Sequence, residues 1–73
     1  MTYQQCVEAL GRGERVRVGA GRYYNTYFMK DGVLYRSVFD EGQTWEEPTN
    51  LPYLKEDAEA SINADYVYSL GQA

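Results

Sequence analysis

Thr2-Tyr3-Gln4-Gln5-Cys6-Val7-Glu8-Ala9-Leu10, then Gly11-Arg12-Gly13, then Glu14-Arg15-Val16-Arg17-Val18: the reading of this opening stretch decides the fold. The Thr2 side chain can accept a hydrogen bond from the Gln5 amide while Gln5 reaches back to the Thr2 amide, a capping box. Tyr3, Cys6, Val7 and Leu10 fall at i, i+3, i+4 and i+7, one apolar face of a helix. The two glycines stop that helix. Glu14–Val18 then alternates, with Val16 and Val18 on one side and Arg15 and Arg17 on the other, a half-buried strand with a cationic outer side. A helix followed directly by such a strand begins an α+β domain.

Working outward, Gly19-Ala20-Gly21 reads as a flexible corner. Tyr23–Lys30 is a strand rich in aromatic and β-branched residues, with Tyr23, Asn25, Tyr27 and Met29 on one face and Tyr24, Thr26, Phe28 and Lys30 on the other. Asp31-Gly32 has the chemistry of a two-residue hairpin turn, so Val33–Phe39 returns antiparallel. Asp40-Glu41-Gly42-Gln43 forms a second turn, and Thr44-Trp45-Glu46 a short strand before a loop bounded by Pro48 and Pro52. Lys55–Ile62 is helix-prone, with Leu54, Ala58 and Ile62 as a buried stripe, and Tyr66–Leu70 alternates as a last strand. The expectation is a single α+β domain over residues 1–73. Its N-terminal helix packs on a twisted antiparallel sheet of four to five strands, and a second short helix precedes the last strand. Helix covers one sheet face; the other carries many aromatics with nothing to cover it, which suggests a subunit interface or a ligand platform.

A chain of 73 residues buries only about 60% of the surface it exposes when unfolded, so its core is marginal and self-association is the favoured supplement. Cys6 is the single cysteine and there is no histidine, which argues against an intrachain disulfide and a structural zinc; no cofactor is expected. The opening carries no signal-peptide pattern and no apolar run long enough to span a bilayer, so a cytoplasmic protein without membrane contact is expected. Charge is uneven. Residues 1–36 hold six basic groups against three acidic, a net +3, and residues 37–73 hold Lys55 against eight acids, a net −7, together the −4 of the chain. That asymmetry fits an anion site in the first half, an acidic face for a basic partner, or two solvated faces that complement each other.

Nothing in the sequence names a reaction. Without histidine, neither a Ser–His–Asp nor a Cys–His arrangement can be built, and Cys6 on an apolar helix face reads as a packed thiol. The carboxylate pairs Asp40/Glu41, Glu46/Glu47 and Glu56/Asp57 are adjacent residues that mostly diverge, and Gly11-x-Gly13 and Gly19-x-Gly21 read as turns, because neither leads from a strand into a helix. Trp45 reads as a core or interface anchor before a stacking residue. The most promising cluster is Arg15, Arg17, Arg22, Tyr23, Asn25 and Tyr27. Guanidinium groups bind phosphate, tyrosines stack on bases, and an asparagine amide reads polar ring edges. Solvated cross-strand pairs are the competing reading of the same residues. Net acidity weighs against long nucleic acid as a partner.

The segment Glu8-Ala9-Leu10-x-x-Gly13-x-x-Val16-Arg17, the Asp31-Gly32-Val33-Leu34-Tyr35 hairpin and the ending Ile62-Asn63-Ala64-Asp65-Tyr66-Val67 resemble small phage proteins of the DUF2829 type. That family includes the Thoeris anti-defence 2 sponges, and some relatives are anti-CRISPR proteins. The resemblance implies a viral, non-enzymatic anti-defence protein. It implies a homo-oligomer that sequesters a cyclic nucleotide immune signal, cyclic ADP-ribose-like or a cyclic oligonucleotide, in a pocket between protomers. Arg17 would take the place of the family's post-helix basic residue, and Asp65 and Tyr66 that of its late Asp-Trp pair. The alternative is an anti-CRISPR-type inhibitor whose acidic second half meets a basic surface of a host defence protein. A structural phage protein with neither ligand nor foreign partner is a third reading.

Overall fold

In the computed structural model, which describes residues 1–61 and 63–72, the chain is an α+β domain with a five-stranded antiparallel sheet. The order is α1 (Tyr3–Gly11), β1 (Glu14–Ala20), β2 (Tyr23–Lys30), β3 (Val33–Asp40), β4 (Gln43–Pro48), α2 (Leu51–Ala60), a single 3-10 turn at Ala64–Tyr66, and β5 (Val67–Gln72). Strands β1 to β4 form a meander, and β5 returns to the free side of β1, giving the order β4-β3-β2-β1-β5.

Local chemistry explains each junction. Thr2 Oγ1 accepts from the Gln5 amide and Gln5 Oε1 from the Thr2 amide, so the capping box forms. Asp31 and Gly32 both take positive φ, 52° and 77°, as a type I′ turn demands, and Lys30 pairs with Val33 across it. The β1–β2 connection differs from expectation. Gly19 and Ala20 belong to β1, and the turn is only Gly21-Arg22, with Ala20 opposite Tyr23. Gly19 has φ +108°, and a Cβ there would lie 2.8 Å from the Tyr23 carbonyl oxygen. The corner is a close backbone approach, and it is tightly fixed.

The second helix also starts earlier than predicted. Asn50 caps it by accepting from the Tyr53 amide, and Pro52 sits in its first turn, where a missing N–H costs nothing. The proline expected to bound a loop therefore opens a helix. Ile62, predicted as part of the buried stripe, lies outside the described residues. The last strand begins one residue later than predicted, because Asn63 caps the 3-10 turn through the Asp65 amide.

Both helices cover the same face of the sheet. Cys6, Ala9 and Leu10 of α1 and Leu54 and Ala58 of α2 meet Val16, Val18, Tyr27, Leu34 and Val67 in one core. Burial raises the Cys6 thiol pKa above its ordinary value, as expected of a packed thiol. No described helix is long and apolar enough to cross a membrane.

Candidate functional site

The pairing register sorts every strand side chain onto one face or the other. On the uncovered face Tyr24 stands opposite Phe39, Thr26 between Arg17 and Ser37, and Phe28 opposite Tyr35. The result is two aromatic rows flanking a row of hydroxyls. Tyr24 and Phe39 stack with centroids 4.7 Å apart, and Phe28 and Tyr35 stack at 6.0 Å. Four residues separate Tyr24 from Phe28 along β2, so the rows lie about 13 Å apart at their backbones.

Arg17 and Arg15 close the β1 side of these rows, and Lys30 their end near the β2–β3 turn. The Arg17 guanidinium lies 4.3 Å from the Tyr24 ring centroid, Arg15 4.4 Å from Phe28, and Lys30 5.7 Å from Tyr35. Arg17 Nε donates to Thr26 Oγ1 at 3.2 Å, which pins the guanidinium plane. Its remaining nitrogens make no hydrogen bond among the described residues, and neither does Arg15. Glu46, opposite Ser37, is the acid that joins this face. A planar, anionic ligand would meet aromatic rings, two guanidinium groups and the half-buried Ser37 hydroxyl here, while Thr26 is buried and already engaged by Arg17.

The other predicted residues go elsewhere. Tyr23, Asn25 and Tyr27 alternate onto the helix-covered side. Asn25 and Tyr27 are buried beneath α2, where Asn25 Nδ2 and the Tyr27 hydroxyl both donate to Asp57 Oδ2, at 2.9 and 2.6 Å. Burial, and then the hydrogen bond to Asp57, push the Tyr27 pKa well above the ordinary phenol value. Tyr23 is exposed at the start of β2. Arg22 is exposed in the turn, where its carbonyl accepts from the Glu41 amide at 2.7 Å. Asp65 and Tyr66 are exposed in the 3-10 turn. The predicted cluster therefore splits: Arg15 and Arg17 share the uncovered face, and Asn25 and Tyr27 meet at Asp57 beneath α2. Tyr24, Phe28, Lys30, Tyr35 and Phe39 were missed as partners of the two arginines. Recognising Gly21-Arg22 as a two-residue turn would have set the β1–β2 register and found three of them.

A second polar group lies beside α2 on the covered side. Arg36 donates through Nη2 and Nε to Glu47 Oε1, at 2.6 and 2.9 Å, and its guanidinium lies 4.3 Å from the Tyr53 ring centroid. Burial works against the Arg36 charge, and the Tyr53 phenol and Glu47 carboxylate outweigh it, so its pKa is raised. With Asn25, Tyr27 and Asp57, this group ties α2 to the sheet. Asn25 Oδ1 and Arg36 Nη1 are buried there with no hydrogen-bond partner among the described residues. A groove of about 440 Å³ between α1, the β2–β3 turn and the start of α2 is lined mainly by Val7, Leu10, Met29, Leu34 and Leu51. It offers no charged side chain to an anion. Among the described residues no group of three or more acidic, cysteine or histidine side chains could hold a metal ion.

A scan of protein-family models matches none to this chain, and searches of curated proteins and of solved structures return no match.

Proposed function

We propose that the chain is a non-enzymatic binding protein that sequesters a cyclic nucleotide signal on the uncovered face of its sheet. One observation carries the reading: Arg15 and Arg17 are seated on Phe28 and Tyr24, on an aromatic face of the sheet that neither described helix covers. Phosphate would engage the free guanidinium nitrogens, and a base would lie along the Tyr24–Phe39 or Phe28–Tyr35 row. Ser37 would supply a hydroxyl partner between them. The net charge of −4 suits a small cyclic ligand better than a long polyanion.

Isothermal titration against cyclic ADP-ribose isomers and cyclic di- and trinucleotides tests this. Binding is expected for at least one of them, weakened about tenfold or more in the Arg15→Ala/Arg17→Ala double variant, since each charge-assisted contact is worth ~1.5–3 kcal/mol. No heat from any of them would remove the reading.

A second reading, a protein inhibitor presenting its acidic half to a basic surface, draws support from the exposure of Glu41, Glu46, Glu56 and Glu59. Glu47 and Asp57 are less available to it, because Arg36, Asn25 and Tyr27 already hold them. Capture of a basic partner that survives neutralising the four exposed glutamates would count against it.

A further inference from the structure

The two edges of the sheet are built differently. β4 carries Glu46 and Glu47 and ends at Pro48, features that keep an edge from pairing with another chain. β5, Val67-Tyr68-Ser69-Leu70-Gly71-Gln72, has neither a charge nor a proline. Its Tyr68 and Leu70 are 37% and 42% exposed and flank Ser69. Both belong to the uncovered face: Tyr68 stands opposite Arg17, and Leu70 is the extra residue of a bulge beside Arg15.

We infer that β5 is the seam of a two-fold dimer, pairing antiparallel with β5 of a second copy about an axis at Ser69. That register sets Tyr68 of one copy across from Leu70 of the other, twice, and buries four exposed apolar side chains as cross-strand pairs. β5 brings no charged side chain of its own to the seam, and the nearest acid, Glu14, is held by the Ser69 hydroxyl and paired with Arg12. The same operation on β4 would bring the Glu46 and Glu47 carboxylates of both copies to one seam, which selects β5. The pairing is short. The Met1 ammonium already donates to the Val67 carbonyl at 2.7 Å, and Gly71, at φ +77°, bends the strand after the bulge. A reversible association is therefore expected, in the class of transient interfaces.

The dimer joins two sheets into one and aligns their uncovered faces. β1 is the neighbour of β5, so Arg15 and Arg17 of each copy flank the seam, and the partner supplies the second half of one cationic platform. This last consequence rests on the proposed nucleotide reading; the seam itself does not.

Sedimentation equilibrium over a concentration series tests the seam with the wild-type chain, Leu70→Lys, Tyr68→Glu and, as the control edge, Trp45→Lys. Reversible dimerisation is expected for the wild type and Trp45→Lys. Both β5 variants should raise the dissociation constant about tenfold or more, with the far-UV dichroism and melting curve of a folded chain. Amide exchange at Tyr68–Leu70 should slow as the dimer fills. A wild type that stays monomeric throughout overturns the inference. So does a dimer that both β5 variants leave intact, or one that forms without protecting those amides. Should one β5 variant unfold, the other decides, and the exchange result needs neither. A dimer that binds no nucleotide keeps the seam and removes the proposed ligand; a monomer that binds one does the reverse.

Discussion

One sheet presents two unlike faces, and β2 serves both through simple alternation. Toward the helices it offers Asn25 and Tyr27, whose amide nitrogen and hydroxyl both donate to Asp57. On the face without helices it places the half-buried Tyr24 and the buried Phe28, which carry Arg17 and Arg15 on their rings. Polar groups on the covered face hold the fold together, so removing them costs stability. Those on the uncovered face hold little and remain open to a ligand. A surface whose charges do not serve folding is where binding is expected to reside.

The largest effect should come from the covered face. Leu54 is fully buried between α2 and the sheet, so Leu54→Ala should cost ~2–5 kcal/mol in a denaturant titration. Ligand affinity per folded molecule should stay unchanged; a loss of affinity would mean the faces are not independent. Asp57→Ala leaves the buried Asn25 amide and Tyr27 hydroxyl without their acceptor, for an expected ~1–3 kcal/mol. A variant as stable as the wild type would show that α2 is not held this way.

Gly19→Ala probes the boundary between the faces. It forces a side chain to positive φ and against the Tyr23 carbonyl, and should lose at least ~1 kcal/mol. Wild-type stability would disprove the close approach.

Alkaline pH separates Tyr27 from the exposed tyrosines. Its raised pKa in the folded chain makes its contribution complete below the ordinary phenol pKa of about 10. The contribution drains away as pH climbs, when the unfolded chain releases a proton that the folded chain keeps. Tyr27→Phe should therefore flatten the alkaline decline in stability; equal slopes for both chains would refute this. The smallest stability effect belongs to Arg17→Ala, ~0.5–1 kcal/mol from its cation–π contact. Loss of binding should far exceed loss of stability there. The opposite ratio would return Arg17 to the role of a surface packing residue.

Much of the architecture could be read from local chemistry. The Thr2/Gln5 capping box, the Asp31-Gly32 turn and the Val16/Val18 alternation each act within a few residues, and each appears where expected. The uncovered aromatic face was also foreseeable, since the strands hold more aromatics than the helices can cover. The membership of that face was not. It depends on the β1–β2 register, and reading Gly19-Ala20-Gly21 as a corner hid the two-residue turn behind it. Asn25 and Tyr27 were misplaced for a different reason: their partner Asp57 lies 32 and 30 residues away, beyond any local pattern. Pro52 misled through its usual association with loops, when the first turn of a helix suits it equally.

The placement of β5 has a consequence for how the chain assembles in time. Strands β1 to β4 close through three turns of two residues, so their contacts are local and can form within microseconds. Ser69 reaches Glu14 across 55 positions, so β5 can dock only after a long loop has closed. An intermediate with the meander formed and β1 unpaired on one side would then precede the native state, and protection of β5 amides should lag behind that of β2 and β3.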